Sequence, residues 1–354
     1  MKQGFLWFLI CGLSILMVGT IVAQSGANAT NGKTDRALTA PCDRACLNGF
    51  IDQYLTALVA NDPSQLPVTK TVKFSENGQM LPLGDGLWNT ATGKGTYKLY
   101  ITDPEDGQVA FFGTIRGAGV PTILAVRLKV EKQQVSEIET LVARQPDGAR
   151  SLEKLGTPNP VFEEAIPPAE RASRQELIRT ANMYFSGIQM NDGKGVYPFS
   201  DDCNRIENGM QTTNNPSFVQ PPLPDAYSSP SDPAQKHDPA YSAAWSCKQQ
   251  LESGLLHFVT RVRDRRFVVV DRERGLVLAF VFFDHAAGKY RTFQVPDGRT
   301  VTVGHTTPWT WEIAELFKIK KGKIGQIEAL VEHCPYGMGS GWSTREEALS
   351  SQAR

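Results

Sequence analysis

All five histidines of this 354-residue chain, His237, His257, His285, His305 and His333, lie late in the sequence, and no histidine precedes them. Imidazole is the side chain that exchanges protons most readily near neutral pH, so acid/base chemistry is expected in this part of the chain. His305 stands just ahead of Trp309 and Trp311. A strand mouth bearing an imidazole and two indoles can hold an aromatic or other apolar ligand, with the imidazole as acid or base; a Trp pair filling a core accounts for the pattern equally well. His285 follows Asp284 at the end of an apolar run, and in a continuing strand the two side chains point to opposite faces, so adjacency alone does not make them a dyad. His257 sits in Leu255-Leu-His-Phe-Val259, where a hydrogen-bonded core histidine outweighs a catalytic one, leaving it a candidate for lining a pocket. His237 lies in a Pro/Ser-rich stretch and is read as solvated.

A second group of reactive residues comes earlier. Ser200-Asp201-Asp202-Cys203-Asn204-Arg205 supplies carboxylates and a guanidinium shortly after a helical pattern containing Tyr184. Proton abstraction needs a carboxylate or imidazole base and a Tyr, Arg or His to hold the developing oxyanion. Asp201, Asp202, Arg205, Tyr184, His285 and His305 are therefore the catalytic candidates, with Trp309, Trp311 and His257 lining the substrate. A solvated loop with a local Asp/Arg pair is the competing reading. The sequence contains no Gly-x-Ser-x-Gly elbow and no Cys/His set at metal-ligand spacing, so neither a serine hydrolase nor a zinc site is expected, and no cofactor is implied. The ending Glu332-His-Cys-Pro-Tyr-Gly-Met-Gly-Ser-Gly-Trp342 lacks the Lys and helix of a phosphate loop and reads as a terminal strap, or as a seal over a pocket or partner surface.

These residues need a scaffold. With 37 basic and 37 acidic side chains the chain has no net charge, which argues against nucleic acid or an anionic membrane surface as partner. Lys2 precedes an uncharged apolar run from Gly4 to Val22, and small residues at Ala23 and Ala27-Asn-Ala29 follow; residues 1–29 read as a secretory signal, with a retained anchor as the alternative for a run of this length. Cys11, inside the run, lacks the order of a lipoprotein signal. Export, to the periplasm or outside the cell, permits disulfides. Of the five later cysteines, Cys203 and Cys247 form the preferred pair, closing a loop rich in Pro, Ser and Asn. Cys42 and Cys46 share a helical face four residues apart, where a bridge is possible at a frayed end, and one cysteine is left over.

The later part of the chain repeats the earlier part. Tyr54 to Asn61-Asp62 recurs as Tyr184 to Asn191-Asp192, Glu76-Asn-Gly78 as Glu207-Asn-Gly209, and Asp103-Pro-Glu105-Asp-Gly107 as Asp271-Arg-Glu273-Arg-Gly275. Both copies end alike, in Ile138-Glu-Thr-Leu-Val142 and Ile327-Glu-Ala-Leu-Val331. Insertions fall near 211–250 and 286–308. Each copy predicts helix followed by long alternating strands such as Trp309, Trp311, Ile313, Glu315, Phe317 and Ile319, an α+β plan of helices on a curved antiparallel sheet. The expected organisation is signal 1–29, first domain 40–145, a proline-rich linker 146–168 too polar for a core, second domain 169–342 and tail 343–354.

In this order of elements the chain resembles the nuclear transport factor 2-like cone superfamily, also called SnoaL-like, in tandem. The resemblance implies two cone-shaped half-barrels, each with an apolar pocket between helices and concave sheet. It also implies cofactor-independent lyase, dehydratase or isomerase chemistry on a small apolar or aromatic molecule, or else a non-catalytic ligand-binding or assembly protein, with a homo-oligomer open.

Overall fold

A computed structural model describes residues 42–218, 243–296 and 298–354. The proposed signal, Cys11 and His237 lie outside the described residues. Among the described residues, no helix is long and apolar enough to cross a membrane.

Helix α1 (Arg44–Val59) opens on Asp43, whose side chain accepts from the Cys46 amide. It buries Leu47, Phe50, Ile51, Tyr54, Leu55 and Leu58, one helical stripe. The Asn-Asp pair stops it: Asn61 takes a left-handed backbone, and its amide donates to the carbonyls of Leu58, Trp88 and Ala91. Strands β1 (Val68–Glu76), β2 (Gln79–Met80), β3 (Ala91–Asp103), β4 (Gln108–Gly117), β5 (Val120–Glu131) and β6 (Gln134–Ala143) form one sheet in the order β2-β1-β6-β5-β4-β3.

After α2 (Pro146–Leu155) the plan recurs. Helix α3 (Arg174–Ile188) opens on a Ser173/Glu176 capping box. Strands β7 (Phe199–Glu207), β8 (Met210–Gln211), β9 (Arg261–Asp271), β10 (Leu276–His285), β13 (Trp309–Lys320) and β14 (Lys323–Cys334) form a second sheet in the order β8-β7-β14-β13-β10-β9. A short helix α4 (Cys247–Glu252) and a two-stranded hairpin, β11 (Arg291–Gln294) with β12 (Thr300–Val303), are additions of the second half. The sheets are not wholly antiparallel, as the sequence suggested: β1 pairs with β6, and β7 with β14, in parallel. The intervening meander provides the long crossover that a parallel pair requires.

The Glu-Asn-Gly motif now has a physical reason. Asn77-Gly78 and Asn208-Gly209 all have positive φ, forming the tight turns from β1 to β2 and from β7 to β8. Each Asn side chain also grips the neighbouring strand, Asn77 by two hydrogen bonds to the Val142 backbone and Asn208 by two to Val331.

Each sheet is apolar on both faces. Ile313 and Phe317 of β13 face their own helix, whereas Ala314 and Leu316 join Tyr97, Leu99, Phe112, Ala125, Leu141, Leu278 and Phe280 in a core shared by the two sheets. Reciprocal ion pairs lock this back-to-back packing: Arg44 of α1 reaches Asp271 at 2.6 Å, and Arg174 of α3 reaches Asp103 at 2.6 Å. Glu139 accepts both oxygens' worth of contact from Arg266, and Tyr97 donates to Glu328 at 2.8 Å.

The proline-rich segment 146–168 corrects the expectation of a polar linker. Pro146 begins a helix instead of breaking one, and Ala149, Leu152 and Phe162 are fully buried in the shared core. Both disulfide pairs form, Cys42–Cys46 and Cys203–Cys247, and Cys334 is a buried free thiol. Cys42 precedes the helix, so its bridge spans a helix start. The Gly-rich ending folds back across the first sheet, where the Trp342 indole donates to Ser75 at 2.7 Å beneath the Lys73 ammonium. The tail forms α5 (Arg345–Leu349) and then hydrogen-bonds through Arg354 to the edge strand β9.

Candidate functional site

The interiors of the two cones differ in chemistry. Phe74 is the seventh residue of β1 and Val126 the seventh of β5; Arg205 and Glu315 hold the same places in β7 and β13. The ladders agree, since Phe74 pairs with Ile138 and Arg205 with Ile327, while Val126 pairs with Thr140 and Glu315 with Ala329. A tyrosine faces this point in each half. Tyr54 packs edge-on against Trp88 with ring centroids 5.3 Å apart, with the Glu76 carboxylate nearby. Tyr184 meets a guanidinium and a second carboxyl as well.

Arg205 is 1% exposed. Its guanidinium donates to Gln250 at 2.7 Å and to the Thr212 hydroxyl at 3.1 Å, pairs with Glu207 at 3.1 Å, and reaches the Tyr184 hydroxyl at 3.5 Å. The Tyr184 hydroxyl also lies near enough to Glu315 to oppose the effect of burial on its carboxyl. Gln250 is presented by α4, which Cys247 ties to β7 through Cys203, so the bridge and the network are built by the same insertion. Burial pushes the Glu315 carboxyl up to about 8, against the opposing pull of Tyr184 and Arg205, and Oε2 has no hydrogen-bond partner. Burial likewise raises the Tyr184 hydroxyl well above its ordinary value. A carboxyl poised near neutrality beside a phenol and a guanidinium is the equipment of proton transfer with oxyanion support. Tyr184, Phe185, Phe199 and Phe317 pack around it ring against ring, so the interior is filled by side chains.

Two inward positions of β13 away from Glu315, Trp311 belongs to a ring cluster at the mouth of the cone. The His285 ring stacks on Trp309 with centroids 3.7 Å apart and lies edge-on to Trp311 at 4.6 Å and His305 at 5.3 Å. Phe258 closes one side, 5.7 Å from His285 and 5.6 Å from His305. His333 completes the cluster, 4.6 Å from Trp309 and accepting from the Trp311 indole at 3.1 Å. Burial lowers His333 to about 4; burial, reinforced by His333, lowers His305 to about 4; and burial holds His285 well below the usual range. All three are neutral at pH 7. Neither ring nitrogen of His285 meets a partner in good hydrogen-bond geometry, although the Trp309 and Phe283 backbone lies near.

The structure therefore divides the candidates. Tyr184 and Arg205 come together in the interior, and His285, His305, Trp309 and Trp311 at the mouth. His257 stays apart, half-buried with Nδ1 facing the Asn191 carbonyl at 3.2 Å. Asp201 and Asp202 are exposed, which corrects their assignment as bases. The inward places of β7 are taken by Cys203 and Arg205, leaving the two aspartates in solvent at the start of the strand. Asp284 turns away from His285 and binds Arg261, Arg263 and Thr310. Sequence reasoning missed Glu315, Gln250 and His333. The signal for Glu315 was present: a lone carboxylate on the apolar face of an alternating strand, where the other copy has valine.

Residues 170–331 match a family model described as a domain of unknown function (DUF8021). The match runs from just ahead of α3 into β14 and contains Tyr184, Arg205 and Glu315. No curated protein matches the chain. Among solved structures, the chain is similar to an NTF2-like protein of unknown function from Cytophaga hutchinsonii, at 8% identity and a TM-score of 0.23, covering 27% of this chain and 88% of that one. AclR from Streptomyces galilaeus aligns at 16% identity and a TM-score of 0.25, covering 36% and 92%. A de novo designed protein with a curved β-sheet aligns at 16% identity and a TM-score of 0.22, covering 46% and 88%. None of these likenesses bears on the chemistry of the site.

The buried carboxyls fix the sign of one pH effect. Burial raises Glu312 and Glu315 to about 8 and Glu328 and Glu332 to about 7, from an ordinary 4.5. The unfolded chain releases these protons first, so their stabilising effect is present below about pH 4.5 and is lost as pH rises towards 8. His305 and His333 act oppositely, losing stability as pH falls from about 6.5 to about 4, and His285 acts in the same direction. Between pH 6.5 and 8 the carboxyls set the slope. The melting temperature is expected to fall across that window, and Glu315→Gln to shallow the fall; calorimetry at constant ionic strength that finds parallel curves for the two proteins counts against a buried, protonated Glu315.

Proposed function

We propose that the second cone carries out acid/base chemistry of the lyase, dehydratase or isomerase kind on a small apolar or aromatic molecule. The observation that carries this reading is the replacement of the first cone's Phe74 and Val126 by Arg205 and Glu315 beside Tyr184. In this scheme ionised Glu315 takes a proton from the carbon next to a carbonyl. The C–H bonding pair moves into the new C=C bond, and the carbonyl pair moves onto oxygen, held by the Tyr184 hydroxyl and Arg205. Protonated Glu315 then returns the proton or protonates a leaving group. A base near 8 is ionised in about a tenth of molecules at pH 7, so the rate climbs with pH until about 8.

The two disulfides support the accompanying reading of an exported protein, secreted or periplasmic. A second reading, a non-catalytic ligand-binding or assembly protein, is favoured by the filled interior: two surface grooves, of about 300 and 500 Å³, touch none of Tyr184, Arg205 and Glu315.

The test is deuterium exchange. The full chain is incubated in D2O with cyclohexanone, phenylacetone and 2-tetralone, and loss of the α-proton NMR signal is followed against Glu315→Gln. The expected result is protein-dependent exchange of at least one ketone, rising to pH 8 and abolished in the variant. Equal rates for both proteins with all three ketones would overturn the acid/base reading in favour of the second.

A further inference from the structure

In the first half a two-residue turn, Ala118-Gly119, joins β4 to β5. In the second half the equivalent strands, β10 and β13, are joined through the hairpin of β11 and β12. This hairpin pairs only with itself, over a ladder of four residue pairs from Arg291/Val303 to Gln294/Thr300. It rests on the turn Leu255–Phe258 through a small apolar cluster of Leu255, Val295, Val301 and Val303, separate from the main core. A glycine stands at each of its roots. Gly288 has φ +73° and Gly304 φ +147°, the latter in a region essentially closed to other residues, and a Cβ on Gly304 would lie 2.4 Å from the Lys289 carbonyl oxygen. Immediately beyond Gly304 comes His305, pinned to the root by the Gly288 amide, which donates to its carbonyl at 3.0 Å. The His305 ring enters the mouth between Phe258, His285 and Trp309, its Nε2 buried without a partner.

A buried imidazole nitrogen without a partner is destabilising, and a hairpin held by three valines against Leu255, the partly buried Trp245, Phe258 and Phe293, and one bond from Arg291 to the Asn191 carbonyl is weakly fixed compared with the eleven-pair ladder of β13 and β14. We propose that the hairpin is a hinged lid over the second cone, turning at Gly288 and Gly304, and that the His305 ring plugs the slot which a planar ring of the ligand occupies when the lid lifts. The slot has aromatic walls on three sides, so it selects flat apolar or aromatic rings. Glu315 lies four residues beyond Trp311 along β13, about 13 Å deeper at ~3.3 Å per residue, so a molecule entering past the lid approaches the proton-transfer residues from the mouth. The ligand class therefore rests on the reading of the second cone as the functional one, whereas the hinge does not.

The experiment has two arms on the full chain. Hydrogen exchange of the wild-type protein is expected to show the β11 and β12 amides exchanging at least tenfold faster than those of β13 and β14, as local opening requires. Binding of 4-fluorophenol, followed by its 19F resonance, is compared between wild type and Val301→Asp/Val303→Asp, which loosens the lid without touching the slot. If the closed lid is the dominant state, freeing it removes that penalty and the probe binds at least fivefold more tightly. A lid that exchanges as slowly as β13 and β14 overturns the hinge. Fast exchange with unchanged probe affinity overturns His305 as the plug, provided the variant keeps its circular dichroism; if it unfolds, His305→Gly with the same probe replaces it under the same criterion. Failure of ketone exchange alongside a lifting lid and tighter probe binding sinks the catalytic reading and leaves the lid standing.

Discussion

Arg205→Phe is expected to destabilise the chain by about 3–5 kcal/mol, and adding Glu315→Val to return most of that loss. The first substitution removes a fully buried guanidinium together with its bonds to Gln250 and Thr212 and its pair with Glu207, and leaves Glu315, 2% exposed and largely protonated at pH 7, in an apolar surround. Breaking up a buried polar and charged network by removing one member costs about that much, whereas exchanging the whole set for apolar side chains of similar volume is close to neutral or stabilising. The first half of the same chain supplies the design, because Phe74 and Val126 already pack against Tyr54 in the equivalent positions. Glu207 is partly exposed and recovers water when Arg205 is gone, and Gln250 keeps its bond to the Thr212 carbonyl at 2.7 Å. Urea unfolding of the wild type, both single variants and the double variant measures the coupling directly. A double variant as unstable as the sum of the singles would mean that Arg205 and Glu315 are not energetically linked. A stable double variant that no longer exchanges ketone protons separates function from folding at one pair of residues.

Residues 169–354 expressed alone are expected to associate or aggregate instead of forming a folded monomer, while the full chain unfolds in a single transition. Cutting the halves apart uncovers Val269, Leu276, Leu278, Phe280, Leu316 and Leu330 on the back of the second sheet. At about 1.5–3 kcal/mol for each large apolar side chain, the loss is on the order of 10 kcal/mol, comparable with the whole stability of a typical domain. The cut also strands three buried groups: Asp271 loses Arg44, Arg266 loses Glu139, and Glu328 loses Tyr97. Light scattering with calorimetry reads both outcomes. A monomeric second half with its own sharp melt would show that the shared core contributes far less than its composition indicates.

Local features of the structure were legible in the residues. The Asn-Asp helix stops, the Glu-Asn-Gly turns and the strand alternation depend on neighbours a few positions away, and each recurs in both halves, although the left-handed residue of the second stop is Met190 and not Asn191. The Cys203–Cys247 pairing was also readable; that His285 joins Trp309 and Trp311 follows from the pairing of β10 with β13, which no local pattern gives. The segment 146–168 reads by its prolines as a linker too polar for a core, yet Pro146 at a first helical position favours the helix that buries Leu152.

By itself the sequence determined two copies of a helix-and-strand plan, the turns that fold each copy, and a surplus of reactive side chains in the second. Only the tertiary structure decided which of those side chains meet. Asp201 and Arg205 are four residues apart, yet one is in solvent and the other buried, because burial depends on what packs over the strand: α4, delivered from a distant insertion. Glu315 and Tyr184 lie far apart in sequence and meet because β13 and α3 face each other across the cone. The partner of the strands' second apolar face, the back of the other sheet, is a long-range pairing that no local pattern encodes.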